Sequence, residues 1–152
     1  MRITLDTNML LRTVLRDDAE QADAAEVLLA RATVLAVPIP VFCEFSWVLR
    51  RSYRQTASQV ADTIQSICAI GTVVTDNAAV DAGIKALRSG GDFADGAIAL
   101  QGESLGGTVL ATFDRQALTI LRQGGLAAAE PSELATALGT ATVKLPRRDK
   151  PA

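Results

Sequence analysis

Four acidic residues, Asp6, Glu44, Asp95 and Asp114, each stand beside an apolar run in a chain of 152 residues that contains no histidine. Asp6 closes Ile3-Thr4-Leu5 and begins Asp-Thr-Asn. Glu44 lies within Val41-Phe42-Cys43-Glu44-Phe45, Asp95 ends Gly-Asp-Phe-Ala-Asp, and Asp114 follows Thr108-Val109-Leu110-Ala111-Thr112-Phe113. A carboxylate at a strand end or inside an apolar helix costs several kcal/mol to desolvate if it is left unpaired. One bound cation could hold several of them at once, and an oxygen-only donor set suits Mg²⁺ or Mn²⁺. The chemistry such a group points to is metal-assisted hydrolysis. Either two ions ~3.5–4 Å apart steady the attacking and leaving oxygens, or one ion works with an acid as general base. The residues leave both open.

Further polar residues flank these acids. Asn8 is placed to orient Asp6, and the hydroxyls of Thr112 and Thr7 are placed to hold a carboxylate or a water. Asp92, three residues before Asp95, either caps the helix that follows or joins the cleft. All of these acids but Asp95 also have an ordinary structural role open to them. Asp6 or Asn8 can cap a helix, Glu44 can gain from the dipole of a first helical turn, and Asp114 can be a turn residue or pair with Arg115. Arg12, Arg16, Lys85, Arg88, Arg115 and Arg122 are candidates for phosphate contacts, although each also reads as a solvated helix face.

The elements that must position these groups alternate. Strands are expected at 3–5, 34–37, 72–75, 109–111 and 126–129. Helices are expected at 8–15, 19–32, through Glu44 to about 53, 59–69, 78–88, 93–105, 115–122 and 132–138. Strands separated by helices imply parallel pairing through right-handed crossovers. The expected fold is therefore α/β, a single domain over 1–138 with a parallel four- to five-stranded sheet flanked by helices. Ligands in such sheets bind beyond the carboxyl ends of the strands, where Asp6 and Asp114 fall. Residues 139–152 carry Lys144, Arg147, Arg148 and Lys150 among prolines and read as a basic, flexible tail.

Composition narrows the classes. Hydrophobic residues make up 49% of the chain, enough for a proper core. Aromatics are 4%, which argues against a stacking platform for single-stranded nucleic acid. The net charge of −2 gives no global basic field, although a metal cluster would reverse the local sign of a site. Cys43 and Cys68 read as reduced core thiols with no zinc-ligand spacing. The start of the chain does not read as a signal peptide, and no apolar stretch is long enough to span a bilayer. A cytoplasmic protein is expected.

Taken in order, Asp6-Thr7-Asn8, Glu44, Gly91-Asp92-Phe93-Ala94-Asp95 and Thr112-Phe113-Asp114-Arg115 resemble the motifs of PIN-domain ribonucleases, in particular the VapC-type toxins of bacterial toxin–antitoxin pairs. The resemblance covers roughly residues 1–138. It implies a PIN fold and Mg²⁺- or Mn²⁺-dependent endonuclease action on RNA, with acids at Asp6, Glu44, Asp95 and Asp114 forming the metal site. It also implies a homodimer, silenced by a small antitoxin whose C-terminal segment lies over the cleft. Gly96 departs from the family's pattern, since alanine is common after the third acid, and Asp92 is an additional acid. A competing reading is a non-catalytic acidic cleft that binds a partner peptide through its Arg or Lys. A covalent aspartyl-phosphatase would want an aspartate at position 8, where this chain has asparagine, and a flap nuclease would carry more acids on a longer chain.

Overall fold

Short apolar runs become strands, and past four of the five an acidic residue takes the cap position of the next helix, while past the other it is Pro38. The computed structural model describes residues 1–139. In chain order the elements are β1 (Arg2–Thr4), α1 (Thr7–Leu15), α2 (Ala19–Arg31), β2 (Val34–Ala36), α3 (Ile39–Arg51), α4 (Ala57–Cys68), β3 (Val73–Val74), α5 (Asn77–Arg88), α6 (Phe93–Ser104), β4 (Leu110–Ala111), α7 (Arg115–Gln123), β5 (Ala128–Ala129) and α8 (Pro131–Leu138). The helix starts follow from side-chain chemistry. Asp18 and Asp76 accept from the backbone N–H groups of Gln21 and Ala79. Thr56 and Gln59 form a reciprocal capping box at the start of α4. The basic tail expected over 139–152 lies, beyond Gly139, outside the described residues.

All five strands are parallel, as expected, but they hydrogen-bond as two groups rather than one sheet. β1, β2 and β3 pair in that order, and β4 pairs with β5. The reason is strand length: β3, β4 and β5 have two residues each, so each offers few ladder bonds. Side chains join the second pair to the rest. Ala99 of α6 packs with Ala117, Leu118 and Leu121 of α7 and with Ala128 of β5.

The main core is Leu5, Leu35, Phe42, Phe45, Leu49, Ile64, Leu87 and Phe93, gathered from the residue after β1, from β2 and from α3 to α6. On α3 the buried residues Phe42, Phe45 and Leu49 recur at helical spacing. That phase turns Glu44, Trp47 and Arg51 to solvent. Helices α5 and α6 approach closely at two glycines. A Cβ on Gly96 would lie 2.2 Å from the Ala82 carbonyl oxygen, and one on Gly83 would lie 2.6 Å from the Phe93 ring. No helix among the described residues is long and apolar enough to cross a membrane.

Candidate active site

The last ladder contact of β1 runs from Leu5 N to Ala36 O at 2.9 Å, so Asp6 is the first residue past the sheet. It caps α1, its Oδ1 accepting from Met9 N at 2.8 Å. The next residue makes the longer-range link. Thr7 is buried, and its Oγ1 donates to Glu44 Oε2 at 2.6 Å, tying the start of α1 to α3. Asn8, expected to orient Asp6, makes no side-chain hydrogen bond among the described residues. Glu44 stands beyond the first turn of α3, which holds no acid, so the dipole of that turn does not account for it.

Asp114 is placed in the same way on the other side. Thr112 N donates to Ala129 O at 3.1 Å, which ends the β4–β5 ladder. Two residues on, Asp114 caps α7, its Oδ1 accepting from Gln116 N at 2.8 Å and from Ala117 N at 3.0 Å. Thr112 Oγ1 accepts from Asp114 N at 3.1 Å, so this hydroxyl holds the backbone of the turn and not a carboxylate. Arg115 pairs with Glu130 at 3.4 Å, so of the two structural roles open to Asp114 it takes the turn and cap and not the ion pair.

Asp92 occupies the cap position of α6 without making a side-chain cap bond. It is drawn toward Arg50, whose Nη1 is 3.9 Å from Asp92 Oδ1 and donates to Gly91 O at 3.3 Å. Asp92, Asp95 and Asp114 then line one cavity of about 480 Å³, with Cys43, Trp47, Arg50 and Arg51 on its α3 wall.

Of the four acids, Asp6, Glu44 and Asp114 are exposed and only Asp95 is partly buried. The desolvation argument therefore applies to Asp95 alone. Burial pushes its carboxyl above the usual range, and the neighbouring charges of Asp92 and Asp114 push it the same way. Burial also raises the Cys43 thiol, with a smaller contribution from Asp95. Cys43 is thus a protonated thiol facing Asp95, while its neighbour Glu44 is held by Thr7. Both cysteines are free and half-buried, less enclosed than core thiols would be.

The acids thus fall into two groups, Asp6 and Glu44 linked through Thr7, and Asp92, Asp95 and Asp114 along a cavity that Asp6 and Glu44 do not line. Among the described residues no three acidic or sulfur side chains stand close enough to enclose one ion. The physical reason is local satisfaction. Asp6 and Asp114 turn Oδ1 onto helix N–H groups, and Asp92 leans to Arg50. The donor chemistry still fits a hard divalent cation. Every carboxylate there is an oxygen donor, Oδ2 of both capping aspartates makes no hydrogen bond among the described residues, and the crowding of Asp95 with two like charges is what a cation relieves.

The six cations read as phosphate contacts are engaged elsewhere. Arg12 bonds Asp17, Arg16 pairs with Asp23 and Glu26, Lys85 donates to Gly124 O, Arg88 bonds Asp62, and Arg122 bonds Glu133. With Arg115 on Glu130, none of the six lines the carboxylate cavity. Among the described residues the cations that do are Arg50 and Arg51, missed by sequence reasoning although Glu44, Trp47 and Arg51 mark one helical face.

No curated protein matches this chain. The PIN domain family profile matches residues 3–121, from β1 into α7, a span that contains Asp6, Glu44, Asp95 and Asp114. PIN domains are generally metal-dependent nucleases, and PIN nucleases generally bind RNA. With the match covering well over half of the chain, this protein belongs to the PIN domain family.

Proposed function

We propose that this protein is a Mg²⁺- or Mn²⁺-dependent endoribonuclease, acting in the cytoplasm as the toxin of a toxin–antitoxin pair. The observation that carries the reading is the crowding of Asp95 with Asp92 and Asp114 in an open cavity, in a chain of the PIN family. Asp6, Glu44, Asp95 and Asp114 are the groups that would hold the ion or ions, with Asp92 as an added charge at the rim. When bound, such an ion lowers the pKa of a water and polarises a phosphate oxygen. The chain's own part is positioning. Thr7 fixes the Glu44 carboxylate, the two helix caps fix Asp6 and Asp114, and α6 carries Asp95 into the cavity. An acid in this group takes the proton from the attacking water.

Under this reading residues 1–138 are the nuclease unit and 139–152 a tail outside it. The partners are RNA, a small antitoxin and a second copy of the chain. Val27 and Leu28 on α2 are 51% and 39% exposed, an apolar surface that supports the dimer.

Asp6→Asn tests the assignment cleanly, because asparagine caps a helix as well as aspartate does. The variant should keep its thermal unfolding curve and lose cleavage of RNA in Mg²⁺ or Mn²⁺ by at least about a hundredfold, as EDTA should for the natural chain. Undiminished cleavage by Asp6→Asn would remove Asp6 from the site. A second reading, an acidic cleft for a cationic peptide, has one observation in its favour: the guanidinium of Arg50 already reaches toward Asp92. Metal-dependent turnover decides between the two, since a binding module has none.

A further inference from the structure

Resting on the nuclease reading and deepening it, we propose that the C-terminal end of α3 is a subsite for single-stranded RNA, with Trp47 stacking a base and Arg51 holding a phosphate beside the carboxylates. Trp47, Arg50 and Arg51 stand at positions i, i+3 and i+4 of one helix, so they share a face, and all three line the cavity that holds Asp92, Asp95 and Asp114. Trp47 is 59% exposed. A large indole surface left in water at the rim of a cavity is a ready stacking face, and base–aromatic stacking tolerates any base.

Arg51 makes no ion pair or side-chain hydrogen bond among the described residues. Arg2, Arg31 and Arg54 are also without such a partner, but none of them lines this cavity. The ordinary role of cations in a last helical turn is to offset the helix dipole. That role explains why Arg50 and Arg51 are tolerated there, but not why an unpaired guanidinium and an exposed indole open onto the same cavity. Arg50, held loosely by Gly91 O and Asp92, is the second cation of the strip and can turn from Asp92 to a phosphate. One wall of the cavity is therefore cationic and aromatic and the other acidic. That arrangement lets a strand lie along α3 with a phosphodiester reaching the carboxylates. Two cations and one stacking face suit a short unpaired stretch, since a duplex would hide its base faces.

Trp47 is the only tryptophan of the chain, so its fluorescence reports on this spot alone. A short unstructured RNA is titrated into the full chain at low salt, with EDTA present to stop turnover. Quenching of Trp47 is expected. Trp47→Ala should weaken binding about tenfold and Trp47→Phe should restore most of it. Arg51→Gln should weaken binding and make the salt dependence shallower by about 0.7 in log–log slope, the loss of one phosphate contact on a single strand. Arg31→Gln, on a remote helix end, should leave affinity unchanged. Unquenched Trp47 fluorescence together with equal affinity of Trp47→Ala and Arg51→Gln overturns the subsite, while metal-dependent cleavage by the natural chain keeps the nuclease reading standing. Quenching and variant losses without cleavage in either ion do the reverse. A preference for duplex RNA of the same sequence also overturns the subsite.

Discussion

Two walls of the molecule, the start of α1 against the middle of α3 and α6 against the start of α7, hold their carboxylates on opposite terms, and of these acids only those of the second line the cavity. On the wall made by the start of α1 and the middle of α3, Asp6 is a helix cap and Glu44 is held at 2.6 Å by the buried hydroxyl of Thr7. On the wall made by α6 and the start of α7, Asp95 is partly withdrawn from water and, to a smaller degree, crowded by Asp92 and Asp114. The first wall is fixed by hydrogen bonds that leave little reason to move. The second stores like-charge repulsion that a cation would relieve. The contrast shows that four acids of one kind need not do one job: some are set in place, and one is set under tension.

The tension depends on how closely α6 lies on α5, and Gly96→Ala should disturb it most. A Cβ there would stand 2.2 Å from the Ala82 carbonyl oxygen and 2.9 Å from Ala86 Cβ. A backbone carbonyl cannot swing aside, so the helices must separate. The cost should reach about 3 kcal/mol, the upper end of overpacking penalties, read as a lower urea midpoint at unchanged slope. Gly102→Ala on the same helix meets nothing within 4 Å. It should instead add about 0.5–1 kcal/mol through helix propensity. Equal effects of the two would show that the α5–α6 approach does not set the second wall. Glycine at position 96 thus has a cause in this chain, the nearness of the Ala82 carbonyl.

Much of this arrangement is legible in the sequence where one residue's chemistry decides a local outcome. Asp18, Thr56 and Asp76 announce helix starts because a short polar side chain before an apolar periodic run has few better uses. Asp6 and Asp114 stand past strand ends for the same reason. What was not legible depends on partners distant in the chain. Asp92 looks like a cap and is drawn to Arg50 of α3 instead. Trp47 reads as part of an apolar run, yet Phe42, Phe45 and Leu49 take the buried face and leave it outside. Trp47 is one residue in 152 and adds little to composition, which carries nothing of its place at the cavity rim. The split of the strands into three and two follows from two-residue strands, whose ladders are too short for residue patterns to define.

Thr7→Val asks whether the first wall is as fixed as its geometry says. Valine matches threonine in shape and in its stiffness at χ1, so only the hydroxyl is lost. Glu44 is exposed and can be hydrated in its place, which limits the destabilisation to about 1 kcal/mol. The sharper effect should be on cleavage, a fall of about tenfold as Glu44 loses its orientation, with Thr7→Ser retaining most of the rate. Thr112→Val, which removes a 3.1 Å contact to the backbone of Asp114, should cost about 0.5 kcal/mol and less in rate. If Thr112→Val proves the more damaging, the walls have been assigned the wrong way round.

The smallest effect is the most direct test of the tension itself. A carboxyl whose folded pKa is raised binds its proton more tightly in the native state than in the unfolded chain. Its stabilising contribution is therefore complete below the ordinary aspartate value of about 3.9 and is lost as pH rises through the raised value of Asp95. Above both, the native state carries the full burden of the crowded charge. Asp95→Asn removes that burden, so in EDTA its melting temperature should gain on the natural chain as pH rises from 4 to 7. Titratable groups elsewhere are common to both proteins and cancel in the difference. Mn²⁺ at neutral pH should close the gap from the other side, raising the melting temperature of the natural chain by mass action and that of Asp95→Asn less. A difference independent of pH would mean that Asp95 titrates alike in both states, and an equal Mn²⁺ response would mean that the ion, where it binds, is held without Asp95.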